Sequence, residues 1–345
     1  MKMPKLVLGV TAAFLSSIVN AQVNDFSNNR NNYGDFSVLV LGSGAAVARP
    51  DASGRAQASY IIFIDGEPKI LMDAGAGSYQ RIAEAGINLK DLELVLLTHL
   101  HADHTGDLTP IVQSLYFENS EPVTPGIPRE IPITVYGPSS NDEVVGDTNV
   151  PLFPTIGEYL DSQWDRETGL DRHVHEINAV LNSGDFSYNA VEVDADISLP
   201  ERVIYDQDGL KISAIGVIHT SAPSLAYSVE YNGKKLTYSG DLQSITNNLA
   251  TLAQDSDLLI YDASVPNNQA NPFHTTPGRI GEISAMANAN NLLLTHFTIG
   301  SEGVQQQTQM KRLIRDAGYV GPIRIARDLL LVNLQALSKP NNSGL

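Results

Sequence analysis

Short apolar runs punctuated by Gly, Asn and Asp set the plan of this chain. Tyr60-Ile-Ile-Phe-Ile64, the turn Asp65-Gly66 and Lys69-Ile-Leu-Met72 read as a β-hairpin that ends at Asp73. A helix follows from Ser78 to Ala85, with Gly86 suited to its C-terminal cap. Leu94 to Leu97 has the length and composition of a buried strand, and it ends in Thr98-His99. The same order then recurs. Ala226 to Tyr231, the turn Asn232-Gly233 and Lys235 to Tyr238 make a second hairpin, which delivers Asp241. A strand over Leu258 to Tyr261 and a helix near Arg279 to Asn288 lead to a strand ending in Leu294-Thr295-His296. Two like halves, each a set of strands with flanking helices, predict an α/β (α+β) protein built as a four-layer αββα sandwich. Packing the sheets face to face would bring their polar strand ends together at one edge.

Between the halves the pattern is less regular. Pro122, Pro125 and Pro128 open this stretch, Val135-Tyr-Gly-Pro138 reads as an edge strand and turn, and Thr155 to Leu181 reads as helical. Leu160, Trp164 and Ile177 are its candidate buried positions. We expect a solvated, cap-like insert at about 118–209 over the site edge, with Trp164 in the core of the cap. His173 and His175 stand two apart and share no helix face, so they are expected at the surface and not as ligands. The main domain then spans 35–338, flanked by a disordered linker at 22–34 and a disordered tail at 339–345.

Met1 to Ala21 has the layout of a secretory signal peptide: Lys2 and Lys5, the apolar stretch Leu6 to Val19, and small residues before Gln22. No later segment is long and apolar enough to span a bilayer, so the mature chain is expected to have no membrane span. The 345 residues include no Cys, which removes disulfides and thiolate ligands from consideration. We expect a periplasmic or secreted bacterial protein. A net charge of −17 argues against nucleic acid as a partner, since phosphate contacts draw on Lys and Arg.

The candidate chemistry is concentrated in His99-x-His101-x-Asp103-His104, directly after the buried strand. Imidazoles and a carboxylate this close together suit zinc. The motif resembles the signature of the metallo-β-lactamase superfamily, which implies the αββα fold. It also implies a two-metal site completed by His219, Asp241 and His296, all present in order. By this resemblance His99, His101 and His219 hold one Zn²⁺ or similar divalent ion. Asp103, His104 and His296 hold a second, and Asp241 bridges. A hydroxide held between the ions would attack, with Asp103 placed to orient it, and Asp73 would position the loop that bears His99 to His104.

His274 lies at the mouth of the helix before His296, with Thr275 or Thr276 as N-cap and Pro277 as first helical residue. That helix end could receive an anion, and Asp262 precedes His274 by twelve residues. The pairing resembles the ribonuclease Z branch, in which an acidic residue and a His assist phosphodiester cleavage; here Asp stands where that branch usually has Glu. The export signal, the acidity and the lack of a basic arm point away from ribonuclease Z itself. The expectation is therefore a secreted zinc hydrolase resembling arylsulfatases or phosphodiesterases, cleaving a small-molecule anionic sulfate or phosphate ester. No nucleic acid partner is expected, and a homodimer is allowed. The alternative is an acyl hydrolase acting on a lactone, thioester or β-lactam. Mass spectrometry of exported protein is expected to show a mature chain beginning at Gln22, and recovery of the full-length chain from cytoplasm alone would count against export.

Overall fold

The computed structural model describes residues 33–46, 54–119, 129, 131–141, 143–176 and 185–337. The expected signal peptide at 1–21, the linker up to residue 32, the tail at 339–345, Pro122, Pro125, Pro128 and Ile177 lie outside the described residues. The first half supplies β1 (Phe36–Gly42), β2 (Ser59–Ile64), β3 (Glu67–Ala74), α1 (Ser78–Ala85), β4 (Leu94–Leu96), α2 (Ala102–Thr105) and α3 (Leu108–Glu118). The middle adds β5 (Ile133–Pro138), α4 (Ile156–Trp164), β6 (Tyr188–Val193) and β7 (Arg202–Gln207). The second half runs through β8 (Leu210–His219), β9 (Ala222–Tyr231), β10 (Lys234–Tyr238), α5 (Asn248–Leu252), β11 (Leu258–Asp262), α6 (Pro277–Met286), β12 (Leu292–Thr295), α7 (Val304–Asp316), β13 (Ile323–Ile325) and β14 (Leu331–Asn333).

One sheet has the order β14-β1-β2-β3-β4-β5-β6 and the other β13-β12-β11-β10-β9-β8-β7. Both hairpin turns use left-handed backbone at both central positions, Asp65 with Gly66 and Asn232 with Gly233, as the twist of two-residue turns requires. Phe36, Val38, Tyr60, Ile62 and Met72 of the first sheet share a buried core with Ile212, Leu225, Tyr227, Val229 and Ile260 of the second. On the outer face of the first sheet, Ile82 of α1, Ile111 and Leu115 of α3 and Trp164 of α4 pack over Leu39, Ile61, Leu71 and Val95. On the outer face of the second, Leu249 of α5, Ile280 of α6 and Ile314 of α7 cover Leu259, Tyr261 and Leu294. This is the four-layer αββα sandwich.

The middle of the chain departs from the expected cap. β5 is not an edge strand: it lies between β4 and β6 and runs parallel to both. β7 extends the second sheet. Gly137-Pro138 reads locally as a turn, yet α4 covers β5 on its outer side, and Ile156 packs against Gly137 where a Cβ would lie 2.9 Å from its side chain. Trp164 is fully buried and belongs to the helix layer of the first sheet, its indole N–H donating to Thr109 Oγ1 at 3.0 Å. His173 is exposed and His175 half-buried, where its Nε2 donates to the Trp164 carbonyl at 2.7 Å.

Three buried tyrosines cross between the sheets at the end where the polar strand ends gather. Tyr60 of β2 meets Thr295 Oγ1 at the end of β12 at 2.5 Å. From the other sheet, Tyr238 donates to Asp73 Oδ2 at 3.0 Å and Tyr227 donates to the Leu97 carbonyl at 2.9 Å. A hydroxyl in an apolar layer is tolerated only when paired, so these three fix the relative position of the two sheets at this edge. Tyr227→Phe strips the Leu97 carbonyl of that donor and is expected to lower unfolding free energy by about 1–3 kcal/mol, measured by urea titration with the metal content held constant.

Candidate active site

Every element that reaches the site edge ends there on a polar residue. His99 follows β4, and the single turn α2 then presents Asp103 and His104 at consecutive positions, both buried. His219 closes β8, Asp241 follows β10 and His296 follows β12. Two local backbone features make this possible. Gly240 is left-handed and lies so close to Thr98 that a Cβ would sit 2.8 Å from the Thr98 Cβ, so only Gly leaves room there for the turn into Asp241. Asp73 and His296 are themselves left-handed, at φ 53° and 57°, a strained conformation for non-Gly residues that the surrounding hydrogen bonds must sustain.

The structure brings together all seven residues expected as ligands. His99 Nε2 and His101 Nδ1 are 3.0 Å apart, and with His219 they form one compact group. Asp103, His104, Asp241 and His296 form a second. His296 Nε2 lies 3.3 Å from both Asp103 Oδ2 and Asp241 Oδ1, and His104 Nε2 lies 3.5 Å from Asp241 Oδ1. Asp241 turns its other oxygen, Oδ2, toward His219 Nε2 at 3.8 Å. One carboxylate thus faces both groups, as a bridge would.

Behind this layer the imidazoles are held by their remaining nitrogens. His104 Nδ1 donates to Asp73 Oδ2 at 2.7 Å, His219 Nδ1 donates to the Phe273 carbonyl at 3.1 Å, and His296 Nδ1 donates to Ser264 Oγ at 2.9 Å. Asp73 also accepts from the Thr98 N–H at 2.8 Å and from the Thr98 hydroxyl. It therefore positions the ligand loop. With Nδ1 committed, each of these three rings directs the Nε2 lone pair into the site. Two atoms there, His104 Nε2 and Asp241 Oδ1, are buried without a hydrogen-bond partner. An uncompensated buried pair of this kind, among nitrogen and carboxylate donors, fits a binuclear metal site.

The electrostatics are divided in the same way. Burial pushes His99 well below the ordinary imidazole range, with His104 and His219 adding to the effect, and burial also lowers His101 and His219. Those rings are neutral ligands at pH 7. Burial acts downward on His104 and His296 too, but the Asp241 carboxylate outweighs it, raising both and pushing His296 up to about 10. For Asp103, burial is overcome by the hydrogen bond to His296 and the charges of His104 and His296, which hold the carboxyl well below its usual range. The carboxylate side of the site therefore draws positive charge.

Beside it stands the expected pair Asp262 and His274. His274 Nδ1 donates to Asp262 Oδ2 at 2.6 Å, and these two form a third close group with Asp241 and His296. Burial opposes a proton on His274, but Asp262 prevails and raises it. The expected helix cap is only partly met. Thr276 occupies the N-cap and Pro277 the first helical position, but the Thr276 side chain does not cap the helix, and Thr275 instead donates to the Leu242 carbonyl. The Gly278 N–H is already taken by Asn268 Oδ1 at 2.7 Å, so the helix end is less open to an anion than its sequence implies. Sequence reasoning missed Ser264, Tyr238 and the Phe273 carbonyl. Ser264 alone had a local signal, standing two residues beyond Asp262, whose Oδ1 accepts from both its N–H and its hydroxyl.

Comparison with known proteins adds three kinds of likeness. Residues 162–297 match the model of the β-lactamase superfamily domain, and residues 36–133 match that of the anti-Pycsar protein Apyc1. A ribonuclease Z of Mycolicibacterium paratuberculosis is 26% identical over 312 residues, covering 87% of this chain and 99% of that protein. Among solved structures, a metallo-β-lactamase fold protein from Bacillus subtilis aligns with TM-score 0.61 at 17% identity, covering 86% of this chain and 98% of its own. The short form of human tRNase Z aligns with TM-score 0.58 at 20% identity, covering 86% and 99%.

These likenesses overturn two expectations. A small-molecule sulfate or phosphate ester, with an acyl ester as alternative, gives way to relatives named for action on RNA along nearly their whole length. The exclusion of nucleic acid falls with it. The physical error was to read a net charge of −17 as a property of the site. Exposed charges are screened within about 8 Å at physiological salt, so acids elsewhere on the surface have little say over what reaches the metal cluster.

Metal-loaded protein is expected to carry about two divalent ions per chain, as a two-metal site implies, and Asp241→Ala to lower both occupancies. Elemental analysis finding one ion or none after growth in ample zinc would reject the binuclear arrangement. Asp73→Ala, which touches no ion, is expected to weaken metal binding by about 10–100-fold, read by competition with a chelating dye.

Proposed function

Because this chain belongs to the metallo-β-lactamase superfamily, in its ribonuclease Z-like branch, we propose that it is a metal-dependent phosphodiesterase that cleaves RNA. The observation that carries the reading is the 2.6 Å contact between His274 and Asp262, set beside Asp241 and His296. A ribose hydroxyl is a poor leaving group and departs readily only if it gains a proton. His274, whose pKa Asp262 raises against burial, is placed to donate that proton from Nε2, the nitrogen not bound to Asp262.

His99, His101 and His219 would hold one divalent ion, zinc by the character of the donors, and Asp103, His104 and His296 the other, with Asp241 shared. When bound, such ions polarise the phosphate and lower the pKa of water. The protein's own residues supply the rest. Asp103 accepts a hydrogen bond from the incoming water and orients it. As the new P–O bond forms, the water gives up a proton past Asp103 to solvent, the bond to the leaving ribose oxygen breaks, and the proton on His274 Nε2 passes to that oxygen. Asp262 holds the ring in place through Nδ1, and solvent restores the lost proton.

The test is cleavage of an oligoribonucleotide by metal-loaded protein. His274→Ala is expected to keep its metal and fold while losing about 10²–10⁴-fold in RNA cleavage, the usual scale of general acid help. Loss on a nitrophenyl phosphodiester, whose leaving group departs without a proton, is expected to be small. Wild-type protein that leaves RNA intact would reject the proposal. Equal RNA cleavage by His274→Ala would remove the dyad from it.

A further inference from the structure

Five aromatic rings follow one another across the site. The Phe153 ring lies 6.1 Å from His101, His101 lies 5.1 Å from His219, and His219 lies 5.5 Å from His274. Phe273 follows at 6.5 Å from His274. The two phenylalanines are thus the first and last members of a chain of ring contacts that passes through His101, His219 and His274.

The backbone at each phenylalanine is tied down. Phe273 is 51% exposed, yet its N–H donates to Asn271 Oδ1 at 2.8 Å and its carbonyl accepts from His219 Nδ1. Phe153 stands at the root of a short hairpin closed by Val145 N–H to the Val150 carbonyl at 2.9 Å and Leu152 N–H to the Glu143 carbonyl at 2.8 Å. The foot of this hairpin is tied to the turn after His219, where Asn141 Nδ2 donates to the Ser221 carbonyl at 2.7 Å. Val144, Val145, Val150 and Leu152 on the hairpin are all exposed. A single exposed apolar side chain needs no explanation, but a fixed group bordering a charged reaction centre marks a binding surface.

Charge supplies the second argument. The ion pairs of the site all join a histidine to a carboxylate, and no Lys or Arg takes part in them. Proteins that grip the nucleic acid backbone draw affinity from Lys and Arg and the counterions these release. With no Lys or Arg among the paired groups of the site, part of the hold on an RNA substrate falls to the rest of the nucleotide. Bases offer an uncharged face that stacks on an aromatic ring whatever the sequence.

We propose that Phe153 and Phe273 stack the bases on either side of the scissile phosphate, so that the enzyme takes unpaired RNA and holds it by its bases. The inference rests on the RNA-cleaving function proposed above. Bases within a duplex are stacked on one another and cannot enter such a clamp, which makes an unpaired end or loop the substrate.

The experiment uses the full, metal-loaded chain and an unpaired oligoribonucleotide, with steady-state cleavage read over a range of salt. Phe273→Ala and Phe153→Ala are each expected to raise KM by about 5- to 150-fold, the range that stacking of one base spans, with a much smaller change in kcat. Phe273→Trp is expected to restore KM. Wild-type protein given an oligonucleotide with an abasic residue beside the scissile phosphate is expected to show the same loss, and the matching Ala variant no further loss. That arm does not depend on any variant folding. The dependence of log KM on log salt is expected to be shallow, with a slope of about 2 or less, since each neutralised phosphate on a single strand contributes about 0.7. RNA cleaved by wild type with unchanged KM for both Ala variants and the abasic substrate would overturn the clamp alone, as would a steep salt slope. No cleavage of RNA by wild type would overturn the underlying function and the clamp with it.

Discussion

The carboxylate of Asp73 is the contact on which the site depends. It is fully buried, yet four donors meet it: the Thr98 N–H and hydroxyl, His104 Nδ1 and the Tyr238 hydroxyl. Three come from the loop after β4 in its own sheet, and the fourth comes from the opposite sheet. An anion in an apolar layer is stable only when its lone pairs are filled, so the donors cannot drift apart without exposing a large desolvation cost. The left-handed backbone of Asp73 belongs to the same balance, strained locally and sustained by the bonds it makes. One residue that touches no substrate thereby sets the position of the ligand loop and the spacing of the two sheets.

The two halves share a plan and divide the labour. Asp73 lies at the end of the second strand of one hairpin and Asp241 just beyond that of the other, and His99 and His296 each follow a Leu-Thr pair. Asp73 faces the interior and binds protein, whereas Asp241 faces the cluster with one oxygen buried and unpartnered. Thr98 answers to Asp73, and Thr295 answers to Tyr60 from the other sheet. Equivalent strand ends therefore perform opposite tasks. The difference is set by which layer lies beyond each one, the sheet interface or the open edge.

The contrast between overall charge and local chemistry governs how a phosphodiester can be reached. Acidic groups spread over the surface repel RNA weakly in salt, and an average over the whole molecule such as net charge says nothing of a cluster a few ångströms across. Asp241 and Asp103 make the site a place for cations, and cations make it a place for phosphate. Because the ion pairs of the site hold no Lys or Arg, the apolar rings at its edge gain weight.

The sequence alone determined the elements and the cast of the site. Periodic apolar runs with Asp-Gly and Asn-Gly turns fix hairpins locally, because turn geometry and strand twist are properties of adjacent residues. The spacing of His99, His101, Asp103 and His104 is likewise local, and the pairing of Asp262 with His274 was legible from their family positions. What lies between them was not. Ser264, Tyr238 and the Phe273 carbonyl act across the sheets or from a loop, and no pattern along the chain marks a hydroxyl that will meet a carboxylate 165 residues away. The 118–209 stretch shows the same limit. β5 carries Gly137 and Pro138 and becomes an inner strand only because α4 and its neighbours bury it, while β6 and β7, half-exposed at the sheet edges, are held by pairing to β5 and β8. Burial is a property of what surrounds a residue, and the surroundings exist only once the chain has folded.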